Sequence, residues 1–237
     1  MSRRLEELAF SPTPIGDVSL RRRLDPATGQ DIFEVKLGDE FLMSSMFTAA
    51  EIALARIGLA RLGGDALTVV VGGLGLGYTA ARALEDPRVT DLIVVELLEP
   101  VIDWHVRGLV PVGPVLTADA RCRLQQGDFF AMSGGDGYDP SAPGRVVDAV
   151  LLDIDHSPSH LLADGSVGFY GVDGMRAIAA HLVQGGVYAM WSNDPPDAEY
   201  VAILGTVFDD VVAEVITFPN ALQGRDSTNT VYAGTKR

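Results

Sequence analysis

The segment Val69-Val70-Val71-Gly72-Gly73-Leu74-Gly75-Leu76-Gly77 constrains the chain more than any other. Three β-branched residues in a row read as a buried strand, and the glycines that follow permit a tight turn in which the backbone can approach a ligand closely. A helix follows Gly77, so the turn hands a strand to a helix whose first N–H groups have no partner within the helix. The spacing is G-x-G-x-G; a dinucleotide fingerprint begun at Gly73 needs glycine at 78, where Tyr78 stands. Gly72, Gly73, Gly75 and Gly77 are therefore candidate contacts for an adenosyl sulfonium compound rather than for NAD.

Around that turn, apolar runs alternate with helical stretches. Strands are expected at 67–71, 92–95, 146–152 and 187–191, with helices after Gly77, after Pro100 and near 171–182. A helix at 198–208 and strands at 211–218 and 230–233 follow, the last two joined without a helix and hence antiparallel. Such alternation predicts an α/β fold: a doubly wound, mostly parallel seven-stranded sheet of the S-adenosylmethionine methyltransferase (Rossmann-like) type. Residues 17–24 roughly alternate, Asp25-Pro26-Ala27-Thr28-Gly29 is a turn, and Ile32, Val35 and Leu37 suggest a further strand. We expect a small β-meander over 1–46 and the adenosyl-binding domain over 47–237, entered by a helix at 47–62 that Gly63-Gly64 ends. Arg21-Arg22-Arg23 reads as a solvated or interface edge, and 134–144 as an exposed loop.

Strand ends then supply the carboxylates. Glu96 closes the strand after the glycine turn, about twenty residues beyond it, where a carboxylate can accept both ribose hydroxyls. Asp128 is placed to accept the adenine amino group, with Phe129 beside the base; a turn or helix cap is its alternative role. Asp153-Ile154-Asp155-His156-Ser157-Pro158 follows the strand at 146–152. Asp153 would position an amine and take its proton, Asp155 and His156 are the next candidates for general base work, and an Asx-turn is the alternative. A loop over 155–167, with Gly165 and Gly168 as hinges, would cover the site. Glu99, before Pro100, reads as a helix-start carboxylate, and Asn193-Asp194-Pro195-Pro196 as a loop and helix start. His105, His160 and His181 lack metal-ligand spacing and read as surface or helix residues; no metal is expected.

Composition narrows the partners. A formal net charge of −14 opposes binding to nucleic acid and favours a cationic or neutral small substrate. No apolar run reaches the roughly 18 residues of a membrane span, and the start, MSRRLEELAF, has no apolar leader core, so a soluble cytoplasmic protein is expected. The lone Cys122 reads as a small core thiol in a reducing compartment.

Taken together these motifs resemble the spermidine synthase family. Gly72-Gly73-Leu74-Gly75-Leu76-Gly77 stands for its G-G-G-D-G-G, Val95-Glu96 for its V-E-I-D, Gly127-Asp128 for its G-D-G or G-D-A and Asp153 onward for its D-S-S-D-P. Phe169-Tyr170 resembles its F-Y, and a helix containing Glu51 precedes the glycine turn. Bacterial spermidine synthase-like proteins, with a D-x-D-N-G-P segment at 153–158, are closer still. The family aspartate of G-G-G-D-G-G corresponds here to Gly75, and Ala55 stands where a histidine follows the Glu51 motif. The resemblance implies transfer of an aminopropyl group from decarboxylated S-adenosylmethionine to an amine, in a homodimer, with Glu96 on the ribose, Asp128 on the adenine and Asp153 serving the amine. Methyl transfer from S-adenosylmethionine on the same fold is the alternative, and a non-catalytic adenosyl-binding protein the second alternative.

Overall fold

The computed structural model of the chain describes residues 5–154, 157–158, 168–220 and 222–237. Four strands come first: β1 (Leu5–Ser11), β2 (Val18–Leu24), β3 (Asp31–Leu37) and β4 (Glu40–Ser44), paired in sequence order as an antiparallel sheet. The meander is thus larger than the two strands its alternation suggested. In the arginine run, Arg22 donates to Glu6 at 2.7 Å and Arg23 to Glu34 at 2.5 Å across neighbouring strands. Those arginines are neutralised by their neighbours, at a gain that exposure keeps small.

Next come α1 (Ala49–Ala60), β5 (Leu67–Gly72), α2 (Tyr78–Leu84), β6 (Val89–Glu96), α3 (Glu99–Val106), α4 (Gly113–Ala118), β7 (Cys122–Gln126), α5 (Phe129–Ser133) and β8 (Val147–Leu152). The chain ends with α6 (Val172–Ala180), β9 (Leu182–Ser192), α7 (Ala198–Gly205), β10 (Phe208–Asn220) and β11 (Arg225–Lys236). The second sheet has seven strands in the order β10-β11-β9-β8-β5-β6-β7, parallel from β9 to β7, with β11 and β10 added antiparallel. This is the predicted doubly wound α/β sheet.

Strand residues feed two cores in turn. Val69, Val71, Leu92, Val94, Ala149, Leu151, Val187 and Ala189 join one core, with apolar residues of α1 to α4 and the small sheet. Val70, Ile93, Val95, Val150, Leu152, Tyr188 and Met190 join the other, with residues of α5, α6 and α7. Each such side chain contributes roughly 1.5–3 kcal/mol by leaving water, which is why unbroken apolar runs form these strands. Helix α1 lies so close that a Cβ on Gly58 would come 2.6 Å from Leu151 Cδ2.

At the amino ends of β6 and β7 one device is used twice. Arg88 bonds Asp86 and the carbonyls of Leu59 and Leu62; Arg121 bonds Asp119 and those of Leu84 and Val89. Strand order reverses between β5 and β8, since β6 and β7 extend one way and β8 and β9 the other. At such a switch point the two strand ends diverge and leave a crevice.

Candidate active site

The glycine turn leaves β5 in that crevice. Gly73 has φ +93°, and a Cβ there would collide with the Asp153 carbonyl oxygen beyond β8. Backbone therefore packs on backbone, and Asp153 N–H donates to the Gly72 carbonyl at 2.7 Å. Gly75 also adopts a left-handed conformation, φ +47°, and a Cβ there would strike the Met43 sulfur. Met43 reaches over from β4 and accepts the Leu76 N–H through that sulfur at 3.0 Å. A thioether thus covers the position at which the resembled family carries an aspartate.

Glu96, at the end of β6, faces the turn. One carboxylate oxygen accepts from Leu74 N–H at 3.0 Å and the other from Leu98 N–H at 2.8 Å. Burial pushes its carboxyl up while these amides hold it down. Glu96 also lines the cavity, so the carboxylate that fastens the turn stands where a ligand hydroxyl could reach it.

His105 is fully buried in α3, where its Nε2 meets the Gly75 carbonyl oxygen at 2.9 Å. Nδ1 is buried without a partner, which puts the proton on Nε2, and burial lowers the ring's basicity. His181 is buried too, bonded to the Ser133 carbonyl at 3.0 Å. Both histidines belong to helices or their ends, as expected, but neither is at the surface: each satisfies a carbonyl that the adjacent turn leaves without a backbone partner. His160 lies outside the described residues.

Asp128 caps α5, its carboxylate accepting from Phe130 N–H at 2.9 Å and Ala131 N–H at 3.2 Å, and it also lines the cavity. Phe129 is 2% exposed: its ring lies against Gly72 and stacks on Tyr138 at 5.0 Å. Phe130 is half-buried and presents more surface to the same cavity. Cap and core packing are thus the first duties of Asp128 and Phe129.

Asp153 is half-buried, lines the cavity and accepts from Thr79 Oγ1 at 2.6 Å. Burial raises its carboxyl to about 6, against the lowering effect of that bond. Glu51, near the start of α1, is raised to about 8 by burial and by the charge of Asp153. The two carboxyls titrate as one unit that carries a single negative charge around neutral pH. Tyr78, bonded to Ser45, stands beside Glu51. Met43 was not singled out from sequence, and neither Glu51, noted only as part of a motif, nor His105 was given a role at the site; for Glu51 the signal was one acid in the otherwise apolar run Ala49-Ala50-Glu51-Ile52-Ala53-Leu54. Asp155, His156 and the loop over 159–167 lie outside the described residues.

Met43, Glu51, Gly73, Gly75, Glu96, Asp128, Phe129 and Asp153 line one cavity of about 1100 Å³, while His105, His181, Thr79 and Tyr78 stand behind its wall. Its volume exceeds the roughly 300–1,000 Å³ usual for a single small ligand and leaves room for two. Among the described residues its lining carries five carboxylates, Glu51, Glu96, Asp128, Asp153 and Asp226, against one cation, Arg225. Among the described residues no histidine, cysteine and carboxylate cluster suits a metal, and no helix is long and apolar enough to cross a membrane.

No protein-family model matches the chain. Among solved structures it is similar to the spermidine synthase of Thermotoga maritima, with a TM-score of 0.72 and 14% identity over 98% of this chain and 72% of that one. A spermidine synthase in complex with the transition-state analogue AdoDATO gives the same values. The chain therefore has a spermidine synthase-like fold.

Proposed function

We propose that the protein is an aminopropyltransferase of the spermidine synthase type. It would bind decarboxylated S-adenosylmethionine, with the adenosine between the glycine turn and Glu96, Asp128 at the adenine and Phe129 under it, and would alkylate an amine held by Asp153. The observation that carries this reading is the Glu51–Asp153 carboxyl pair, set beside a side-chain-free turn in a cavity whose described lining has five acids and one arginine. A carboxylate on the donor tail would meet like charges there, whereas sulfonium and ammonium groups would meet opposite ones.

The bound donor supplies an electrophilic carbon beside a sulfonium. What the chain's own residues do is orient and deprotonate. The singly charged pair receives an amine as its ammonium ion and takes one proton, leaving a neutral nucleophile. Attack forms the N–C bond as the C–S bond breaks, the electron pair leaves with sulfur, and the new secondary ammonium retains the charge. Positioning and desolvation by apolar walls complete the contribution, with no covalent enzyme intermediate. Asp155 and His156 remain further candidates for the same proton transfer.

The test is mass spectrometry of reactions with decarboxylated S-adenosylmethionine and a panel of amines. Release of methylthioadenosine that depends on amine is expected. S-adenosylhomocysteine from S-adenosylmethionine would assign methyl transfer instead, and binding of methylthioadenosine without turnover of any amine would assign a non-catalytic role.

A further inference from the structure

The cavity lining comes from two groups of elements, which we treat as two arms on either side of the Glu51–Asp153 pair. One, along the ends of β5, β6 and β7, holds the glycine turn, Glu96 and Asp128. The other runs between the start of α1, the end of β9 and the β10–β11 hairpin, and has a different lining. Phe47 and Phe218 form an aromatic wall there, ring centres 5.9 Å apart, with Trp191 on the same arm. Beyond them the uncharged polar groups are the amides of Asn193, Asn220, Gln223 and Asn229 and the hydroxyls of Ser227 and Thr228. Asn229, 7% exposed, donates to Asn193 at 3.0 Å, and Asn220 donates to Ser227 at 2.9 Å.

Charge is confined to the rim of this arm. Arg225 and Asp226 are adjacent on β11, both exposed, so each offsets the other's field. A linear diamine with one nitrogen at the carboxyl pair would have to place its second ammonium among phenyl rings and amides, or beside Arg225. No buried carboxylate lines this arm away from Glu51 and Asp153 among the described residues. Removing an ammonium from water without a counter-charge is costly, whereas a flat apolar body with a neutral hydrogen-bonding end loses nothing of that kind.

We infer that the acceptor is a monoamine with an aromatic or otherwise planar body and an uncharged polar end, not an α,ω-diamine. This inference rests on the transfer reading above and fixes the substrate class of that same site.

The experiment compares methylthioadenosine release from decarboxylated S-adenosylmethionine with phenethylamine, tyramine and putrescine. The aralkylamines are expected to exceed putrescine by at least about tenfold in kcat/KM, the scale on which an unpaired polar group discriminates between substrates. Asn229→Asp, which adds a carboxylate at the far end, is expected to reduce that ratio; Asn193→Asp serves where the first variant fails to fold. Putrescine turned over as well as the aralkylamines, or a ratio unmoved by either substitution, overturns the acceptor assignment and leaves aminopropyl transfer standing. No methylthioadenosine with any amine overturns the transfer reading instead. Thermal-shift titration of the protein with methylthioadenosine and each amine then decides the acceptor class by itself: stronger stabilisation by putrescine refutes it, stronger stabilisation by tyramine upholds it.

Discussion

Replacing Glu51 by glutamine tests whether two carboxyls are crowded at the centre of the cavity. Raising the Glu51 carboxyl from its ordinary 4.5 to about 8 withholds roughly 4–5 kcal/mol from the folded state once that group is made to ionise. The sign follows from the direction. A carboxyl whose folded pKa lies above its unfolded one contributes most below the unfolded value and loses that contribution as pH rises through the folded value. The free protein should therefore weaken between about pH 4 and pH 8 as Asp153 and then Glu51 lose their protons. Glu51→Gln removes the later part of that loss. Urea denaturation at pH 5 should find variant and parent nearly equal, and at pH 9 the variant more stable by several kcal/mol. The net charge of −14 also weakens the parent at high pH, so the difference between the two curves is the quantity to read. Parallel curves from pH 5 to pH 9 would refute the crowded pair, and with it the proton acceptor proposed for the amine.

Three further substitutions probe the scaffold of the site. Gly73→Ala forces a Cβ onto the Asp153 carbonyl in a left-handed conformation, and should cost at least about 2 kcal/mol in urea denaturation and abolish nucleoside binding. Glu96→Ala strips two amides of their acceptor and the ribose of its own, so calorimetric affinity for methylthioadenosine should fall at least about tenfold, with a loss of roughly 1–3 kcal/mol in stability. Asp139, 5% exposed, is bonded by Arg123 at 2.8 Å and Arg145 at 3.2 Å, and these arginines hold its carboxyl far below the usual range. Its depressed pKa means stability present above about pH 4 and lost on acidification. Asp139→Asn should cost about 1–2 kcal/mol at pH 7, discounted because both arginines are partly exposed, and much less near pH 2.

Most of the sheet was legible because its strands are buried on both faces. Runs such as Val69-Val70-Val71 and Leu92-Ile93-Val94-Val95 need no helical or alternating pattern to be recognised. The long strands of the terminal hairpin were cut short: β10, at the sheet edge, spans Phe208–Asn220 where 211–218 was expected, and β11 beside it Arg225–Lys236 where 230–233 was. Half-exposed antiparallel residues such as Asp209, Glu214 and Thr217 dilute the apolar signal, although the hairpin backbone still pairs along them. Similarly, β9 begins at Leu182, five residues before the expected 187, because Leu182 pairs with Val147 across a bulge that local propensity does not encode. At the site, Glu96, Asp128 and Asp153 could be placed because strand ends in a doubly wound sheet converge on one crevice. Glu51, Met43 and His105 could not: each is brought there by packing between elements distant in sequence. Cys122 is a thiol that burial pushes up to about 12, far from reactive.

The contact between Met43 and Gly75 couples a strand of the small sheet to the turn that leaves β5 of the large one. A side chain introduced at 75 would face a left-handed backbone and the sulfur already seated there, so the Met43 side chain would have to swing aside. Relatives of this chain that carry aspartate at 75 should therefore show residue 43 either shorter than methionine or turned away from the glycine loop, and an engineered return of the acid will displace that thioether from the Leu76 N–H.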